Sequence, residues 1–206
     1  ELPHAVELIT ALRAAGAVVA LGHTAATAGE ADAAFDAGAT VVTHLFNAMR
    51  PLHHRDPGII GAALRRAGVT VGLIADLVHV HPVVLSLVMA VKGWRHVALI
   101  SDAVAAPDGR SAVLAGRVLE VTDAPRLDTG TLAGTTLLLG DAVRNLVLVG
   151  APLRNAVLMA SVVPAAVLGL RDRGRLAAGT RADFAVFDQS LRPTATFAGG
   201  VEVFSR

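Results

Sequence analysis

Four short aliphatic runs, each followed closely by a histidine or an aspartate, most constrain what this chain can fold into. The runs are apolar throughout instead of alternating with polar residues, which is typical of parallel strands covered on both faces. Helical patterns separate them, so the sequence predicts an α/β fold built from repeated strand–helix units. The four predicted strands are Val18–Leu21, Thr40–Thr43, Val69–Ala75 and Val97–Ile100.

The polar residues at the ends of these runs indicate a shared site. One such residue alone is usually a helix cap or a loop residue. Four in series are a stronger signal, because the carboxyl ends of parallel strands lie at one edge of a sheet. Imidazole and carboxylate are also the side chains that hold metals and move protons. The residues are His23, His44, Asp76 with His79, and Asp102.

The predicted helices have local signals of their own. Residues Thr27 to Glu30 have capping-box spacing, and Pro82 suits the first turn of a helix that Gly93 closes. Thr135 and Thr136 are predicted to cap a later helix. The predicted helices span 3–15, 28–38, 61–67, 83–92, 137–149, 153–160 and 162–170.

The pattern changes after residue 103. Residues 110–121 alternate and contain Gly116, which predicts a small hairpin, and 182–187 and 195–204 are short β segments with glycine turns. We therefore predict two units, one over residues 1–172 and a β unit over residues 173–206.

Composition excludes several classes of protein. With 53% hydrophobic residues among 206, the chain can bury a substantial core. Its 18 Lys and Arg residues and 17 Asp and Glu residues are scattered, so we expect neither a nucleic-acid partner nor a membrane surface. The chain has no cysteine and no run of about 20 apolar residues, and we expect a cytoplasmic location.

Several segments resemble the N-acetylglucosamine-6-phosphate deacetylase family of the amidohydrolase superfamily. The most specific is Thr43-His-Leu-Phe-Asn-Ala-Met49, followed by Arg55-Asp-Pro-Gly58. The others are Gly22-His-Thr24, Ile74-Ala-Asp with His79, Ser101-Asp-Ala103, Thr131-Leu-Ala-Gly134 and Ala182-Asp-Phe184.

The resemblance implies an α/β fold: the second half of a metal-dependent (β/α)8 TIM-like barrel over residues 1–172, plus part of a small β-sandwich over residues 173–206. It also implies hydrolysis of the N-acetyl group of N-acetyl-D-glucosamine 6-phosphate, giving glucosamine 6-phosphate and acetate in amino-sugar catabolism.

The resemblance also implies roles for individual residues. His23 and His44 would bind a divalent metal, with zinc expected and iron, manganese, cobalt or nickel also suited to imidazole. Asp102 would be the catalytic acid and base, and His79 would lie near the acetamide carbonyl. The implied substrate-binding residues are Asn47, Ala48 and Arg55 at the phosphate, and Asp76, Leu77, Val78, His79, Leu132, Ala133 and Gly134. In the family this arginine can cross a dimer interface, so the implied partners are a phosphorylated amino sugar and a second copy, or the missing N-terminal half of the same protein.

The sequence departs from the family pattern in two respects. Four barrel strands are predicted where the family has eight, and the glutamate that completes the metal site is missing. Because catalytic zinc usually has three protein ligands, we expect a fragment that holds metal weakly by itself. Leu77 stands where relatives usually have glycine.

Two other functions fit the residues. Another amidohydrolase, dihydroorotase-like or dipeptidase-like, would share the histidines and Asp102 but would not need Asn47, Ala48 and Arg55 to hold a phosphate. The other is a truncated, catalytically inactive fragment.

Overall fold

A four-stranded parallel sheet forms the centre of the molecule in the computed structural model, which describes residues 1–106 and 109–206. Its strands lie in chain order: β1 (Ala20–Leu21), β2 (Val41–Val42), β3 (Thr70–Ile74) and β4 (Val97–Ile100). The predicted parallel α/β sheet is therefore confirmed. Within those residues the sheet is open, with β1 and β4 at its edges.

The first two strands are shorter than predicted. The regular ladder pairs Ala20 with Val41 and Leu21 with Val42. Single hydrogen bonds continue past the ladder at both ends, since Thr40 N donates to Val19 O at 3.1 Å and Thr43 N donates to Leu21 O at 2.8 Å. The chain then turns out of the sheet toward the two histidines.

Helices follow β1, β2 and β3, and two of these helices begin where the local signals predicted. Thr27 caps α2 (Ala28–Asp36): its hydroxyl accepts the Glu30 N–H at 3.3 Å, and Glu30 Oε2 accepts the Thr27 N–H at 2.8 Å. Pro82 opens α4, and Gly93 ends it with a φ of 64°. The four helices of this half are α1 (Ala5–Ala14), α2, α3 (Gly58–Arg65) and α4 (Pro82–Lys92), with a 3₁₀ turn at Trp94–His96.

The hydrophobic core lies around β3, whose five residues are all buried. One connected cluster includes Leu45, Ile59, Leu73, Leu85 and Leu99. The stripe predicted on α1 is mostly exposed. Of its apolar residues only Ile9 is buried, because α1 lies beside the open β1 edge.

The second half of the chain contains two small antiparallel sheets and three helices. The predicted hairpin is confirmed as β5 (Ser111–Leu114) and β6 (Arg117–Val121), to which β7 (Pro125–Arg126) adds. Three helices follow, α5 (Leu139–Leu148), α6 (Leu153–Ala160) and α7 (Val162–Val167). The last sheet has β8 (Phe184–Phe187), β9 (Pro193–Ala198) and β10 (Val201–Ser205).

In the described part of the chain, none of the helices combines the length and apolarity needed to cross a bilayer.

The capping box gives a direct test of α2. Thr27→Ala removes the hydroxyl that accepts the Glu30 N–H, so we expect a loss of about 1 kcal/mol in the free energy of unfolding. Thr10→Ala is the matched control, since Thr10 is exposed inside α1 and its hydroxyl bonds only the Val6 carbonyl. Chemical denaturation measures both variants; equal stabilities for the two would contradict the assignment.

Candidate functional site

A histidine or aspartate stands two positions beyond the last residue of every strand in the parallel sheet. The pairs of strand end and polar residue are Leu21 and His23, Val42 and His44, Ile74 and Asp76, and Ile100 and Asp102. Because the strands are parallel, all four polar residues leave the sheet at its carboxyl edge, as predicted.

The backbone in these loops is strained. Of the nine non-glycine residues with positive φ in the described chain, six lie in the strand-end loops. Such conformations cost about 1–3 kcal/mol each and persist where surrounding structure enforces them, often at functional sites. The six are His23 (48°), His44 (28°), Phe46 (79°), Ala48 (49°), Leu77 (69°) and Asp102 (50°).

The two histidine side chains converge. His23 Nε2 lies 2.9 Å from His44 Nε2, and the rings meet edge to face with 4.6 Å between their centroids. Two nitrogens that each bind zinc at about 2.0–2.1 Å lie roughly 3 Å apart, so this pair fits two ligands of one ion. No third histidine, cysteine, aspartate or glutamate completes a metal-binding group within residues 1–106 and 109–206.

His44 has an unusual second nitrogen. The residue is only 4% exposed, and in the described structure its Nδ1 is the single buried side-chain nitrogen or oxygen without a hydrogen-bond partner. Histidines that bind metals usually donate this second N–H to an acceptor. Within the described residues, His44 therefore has a partner for Nε2, the ring of His23, but no acceptor for Nδ1.

Glu1 holds the turn that follows His23. Its carboxylate accepts hydrogen bonds from the Thr24 hydroxyl and, at 3.1 Å, from the Ala25 N–H. The Thr24 hydrogen bond is the main reason that the pKa of Glu1 is lowered. Glu1 follows no predicted strand, and no local sequence pattern marks its contact with Ala25.

The residues expected at a phosphate lie in the loop after His44. The Asn47 side chain donates to the carbonyl oxygens of His44 and Leu45, both at 3.3 Å. Ala48 O accepts the Thr24 N–H at 3.1 Å, which ties this loop to the His23 turn. Arg55 is exposed, and its guanidinium lies 2.8 Å from His54 Nε2. The structure therefore brings Asn47 and Ala48 to the histidine pair and leaves Arg55 on the outer part of the loop.

Asp76 and His79 form a compact buried pair. His79 Nδ1 lies 2.6 Å from Asp76 Oδ2, and Asp76 Oδ1 accepts the N–H groups of Val78 at 3.0 Å and His79 at 2.8 Å. Burial acts to raise the pKa of Asp76, but these hydrogen bonds outweigh it and the pKa is lowered. The carboxylate is therefore ionised at neutral pH. Its stabilising effect is present above its ordinary pKa and is lost as the pH falls through the lowered value.

Leu77 occupies the turn between them with a φ of 69°, a conformation that glycine adopts freely. Its half-buried side chain packs against the hydrophobic core. This packing offsets part of the backbone strain at this position.

The segment after β7, residues 127–135, packs against the loop that contains Asp102. Leu132 bridges to Arg126, and Ala133 N donates to Pro125 O at 2.9 Å. Gly134 packs so closely that a β-carbon there would lie 2.8 Å from the carbonyl oxygen of Asp102.

The prediction that Thr135 and Thr136 cap the next helix was wrong. Its hydroxyl donates to Ser101 O at 2.6 Å, and its N–H donates to Asp102 O at 2.9 Å. The N-cap of α5 is Leu138, which makes no side-chain cap. Thr135 is buried and fixes the backbone on which the exposed Asp102 side chain stands.

Comparisons with known proteins show the family of this chain. The model of the amidohydrolase family matches residues 1–203. N-acetylglucosamine-6-phosphate deacetylase from Bos taurus is 41% identical over 97% of the chain, and N-acetylgalactosamine-6-phosphate deacetylase from Escherichia coli O157:H7 is 41% identical over 91%. The crystal structure of a mutant N-acetyl-D-glucosamine-6-phosphate deacetylase from Mycobacterium smegmatis, with N-acetyl-D-glucosamine-6-phosphate bound, superposes on the whole chain with a TM-score of 0.94 and 40% identity.

The chain spans about half the length of the relatives that it matches. It covers 51% of the Bos taurus and Escherichia coli proteins and 56% of the Mycobacterium smegmatis chain.

Gly134 provides a test of how the Asp102 loop is held. Gly134→Ala and the control Gly130→Ala both place a β-carbon at a φ near 80°, so both bear the left-handed backbone cost of about 1–2 kcal/mol. Only position 134 adds a clash, because nothing lies within 4 Å of the β-carbon built at Gly130. We expect Gly134→Ala to lower the free energy of unfolding by about 1 kcal/mol more than the control does, and to shift the amide resonances of residues 102–104. Equal losses with unchanged resonances would show that Gly134 does not support this loop.

Proposed function

The chain belongs to the amidohydrolase family, and from that premise we propose that it carries the deacetylation residues of an enzyme acting on N-acetyl-D-glucosamine 6-phosphate. The reaction adds water across the amide and releases acetate and glucosamine 6-phosphate. The observation that supports it most is the convergence of the His23 and His44 Nε2 atoms, 2.9 Å apart, at the edge from which Asp102 also projects. The similarity to two sugar-phosphate deacetylases at 41% identity supports the substrate class.

His23 and His44 would hold a divalent metal through their Nε2 atoms. Such an ion polarises the amide carbonyl and lowers the pKa of water at the site to about 7. Zinc is our first choice, and iron, manganese, cobalt and nickel also suit imidazole, so availability decides among them. Two ligands from this chain are one short of the usual three, and we propose that the chain alone binds the metal weakly.

Asp102 and His79 would act on the amide itself. The exposed Asp102 carboxylate takes a proton from the attacking water and returns it to the leaving nitrogen, so one group serves as base and then as acid. His79, held by Asp76, places its Nε2 toward the carbonyl oxygen and stabilises the charge that develops there.

The phosphate would lie over the loop after His44. Backbone N–H groups around Asn47 and Ala48 offer donors beside the histidine pair, and Arg55 offers a planar fork of donors to phosphate oxygens. Because Arg55 lies on the exposed outer part of its loop, we propose that it serves the site of a second copy in a homodimer. The segments Leu77–His79 and Leu132–Gly134 would contact the sugar and its acetamide group, and Asp76 would support the first of them through its contact with His79.

The wider assignments follow from the same premise. We propose that residues 1–172 form part of a (β/α)8 barrel and that residues 173–206 contribute strands to a small β-sandwich. Its place in amino-sugar catabolism and a cytoplasmic location belong to the same proposal. The Escherichia coli relative is an N-acetylgalactosamine-6-phosphate deacetylase. N-acetyl-D-galactosamine 6-phosphate is therefore the second candidate substrate.

The substrate can be tested by acetate release from N-acetylglucosamine with and without the 6-phosphate, and from the galactosamine 6-phosphate epimer. The assay uses the chain itself and a chimera in which residues 1–206 replace the matched 56% of the Mycobacterium smegmatis enzyme. We expect the chimera to cleave the phosphorylated sugar at least tenfold faster than the unphosphorylated one. Equal rates would contradict the phosphate assignment, and a folded chimera without activity would contradict the function.

Asp102→Asn tests the proton-transfer role. We expect turnover by the chimera to fall about 100- to 10,000-fold, because the amide cannot accept a proton from water, while zinc affinity stays the same. Asp128→Asn, on an exposed loop, is the matched control and should leave turnover unchanged. Activity that survives Asp102→Asn would refute the general-base assignment.

Calorimetric titration of the chain with zinc tests the metal ligands. We expect weak binding at one site, reduced at least tenfold by His23→Ala or by His44→Ala, since each removes one of only two nitrogens. His4→Asn is the control, because His4 is exposed and lies before α1. Binding that survives both histidine substitutions would place the metal elsewhere.

A further inference from the structure

The carboxylate of Asp76 is occupied by its own turn. Within residues 1–106 and 109–206, all of its hydrogen bonds go to Val78 and His79. Oδ1 accepts the N–H groups of Val78 and His79, and Oδ2 lies 2.6 Å from His79 Nδ1. The side chains of Asp76 and His79 are only 10% and 4% exposed. A carboxylate occupied in this way is poorly placed to bind a sugar and well placed to hold a ring.

The pair is anchored from a second element. The Asn145 side chain, on α5, donates to the carbonyl oxygen of Ala75 at 2.8 Å. Ala75 ends the buried run that leads into Asp76, so the turn is tied to α5 as well as to β3. The ring of His79 therefore has its orientation set by the backbone and by Asp76, with little freedom to rotate.

The second ring nitrogen of His79, Nε2, is not fully buried in the core. In the part of the chain that the structure describes, His44 Nδ1 is the one buried side-chain nitrogen or oxygen without a partner. The contact of the His79 ring is at Nδ1, so within the described residues its Nε2 has no protein partner and is not fully buried.

We propose that Asp76 is a positioning residue that fixes the His79 ring with its Nδ1 proton on Asp76 and its Nε2 toward the substrate, an inference that rests on the proposed deacetylation. A neutral imidazole has one N–H, so Nδ1–H leaves a lone pair at Nε2. Nε2 then donates to a carbonyl oxygen only when the ring carries a second proton. The ionised carboxylate of Asp76 compensates the charge of that doubly protonated ring.

The substitution Asp76→Asn distinguishes a positioning role for Asp76 from a direct contact with the substrate. The Asn side-chain oxygen can still accept the two backbone N–H groups, so the turn is kept. Its NH2 group, however, faces His79 Nδ1 as a donor and requires a lone pair there, which moves the proton to Nε2. The substitution thus inverts the tautomer while conserving size and fold.

Nitrogen-15 NMR of histidine-labelled chain tests the proposal without any need for catalysis. We expect the neutral His79 ring to show a protonated Nδ1 and an unprotonated Nε2, with assignment from the signals lost in His79→Gln. Asp76→Asn should reverse the two nitrogens, and Asp141→Asn, on the surface of α5, should leave them unchanged. A protonated Nε2 in the neutral ring of the unsubstituted chain would overturn the proposal, and this spectrum decides the question if Asp76→Asn does not fold.

A kinetic measurement separates this inference from the proposed function. In the chimera, Asp76→Asn should lower kcat about 10- to 100-fold and change KM less, because a neutral amide no longer compensates the charge of the doubly protonated ring that donates to the developing oxyanion. If the chimera does not deacetylate but the spectra show the expected inversion, the function is refuted and the tautomer assignment stands. If the chimera is active and the tautomer does not change, the positioning role is refuted alone.

Discussion

Parallel hydrogen bonding between β1, β2, β3 and β4 is the interaction on which the remainder of the structure depends. It aligns four chain segments that are far apart in sequence, so that each leaves the sheet at the same edge. A polar residue then stands at this edge, two positions past the end of each strand. The proximity of His23 to His44 is thus a consequence of strand register, since Leu21 pairs with Val42 directly beneath them.

This arrangement depends on hydrogen bonds between loops. Left-handed backbone at His23, His44 and Asp102 is unfavourable in isolation, and bonds from adjoining loops hold it in place. Thr24 N bonds Ala48 O beside the histidines, and Thr135 N bonds Asp102 O at the other end of the sheet. The backbone of the candidate site is therefore held firmly, although the side chains of His23 and Asp102 are exposed.

Features that depend on neighbouring residues were predictable from sequence, and those that depend on distant ones were not. The capping box of α2 needs only Thr27 and Glu30, and the parallel sheet follows from four buried runs. The supports of the site join positions far apart: Glu1 to Ala25, Ser101 to Thr135, and Ala75 to Asn145. Each is a hydrogen bond between a polar side chain and a distant backbone group, which no periodicity or spacing reveals. The prediction for Thr135 was wrong for this reason, because a local cap was assumed where a contact across 34 residues forms.

Gly72, in the middle of β3, is packed against both of its neighbouring strands. A β-carbon there would lie 3.2 Å from His44 N, 3.3 Å from Val42 O and 3.1 Å from Ile100 Cδ1. Two of these atoms are backbone, so the glycine leaves room for the path of the chain into His44. The third is a methyl group that valine lacks, and its loss would relieve one of the three contacts. Positions 72 and 100 are therefore sterically coupled: a residue larger than glycine at position 72 meets less conflict when position 100 carries a side chain shorter than isoleucine.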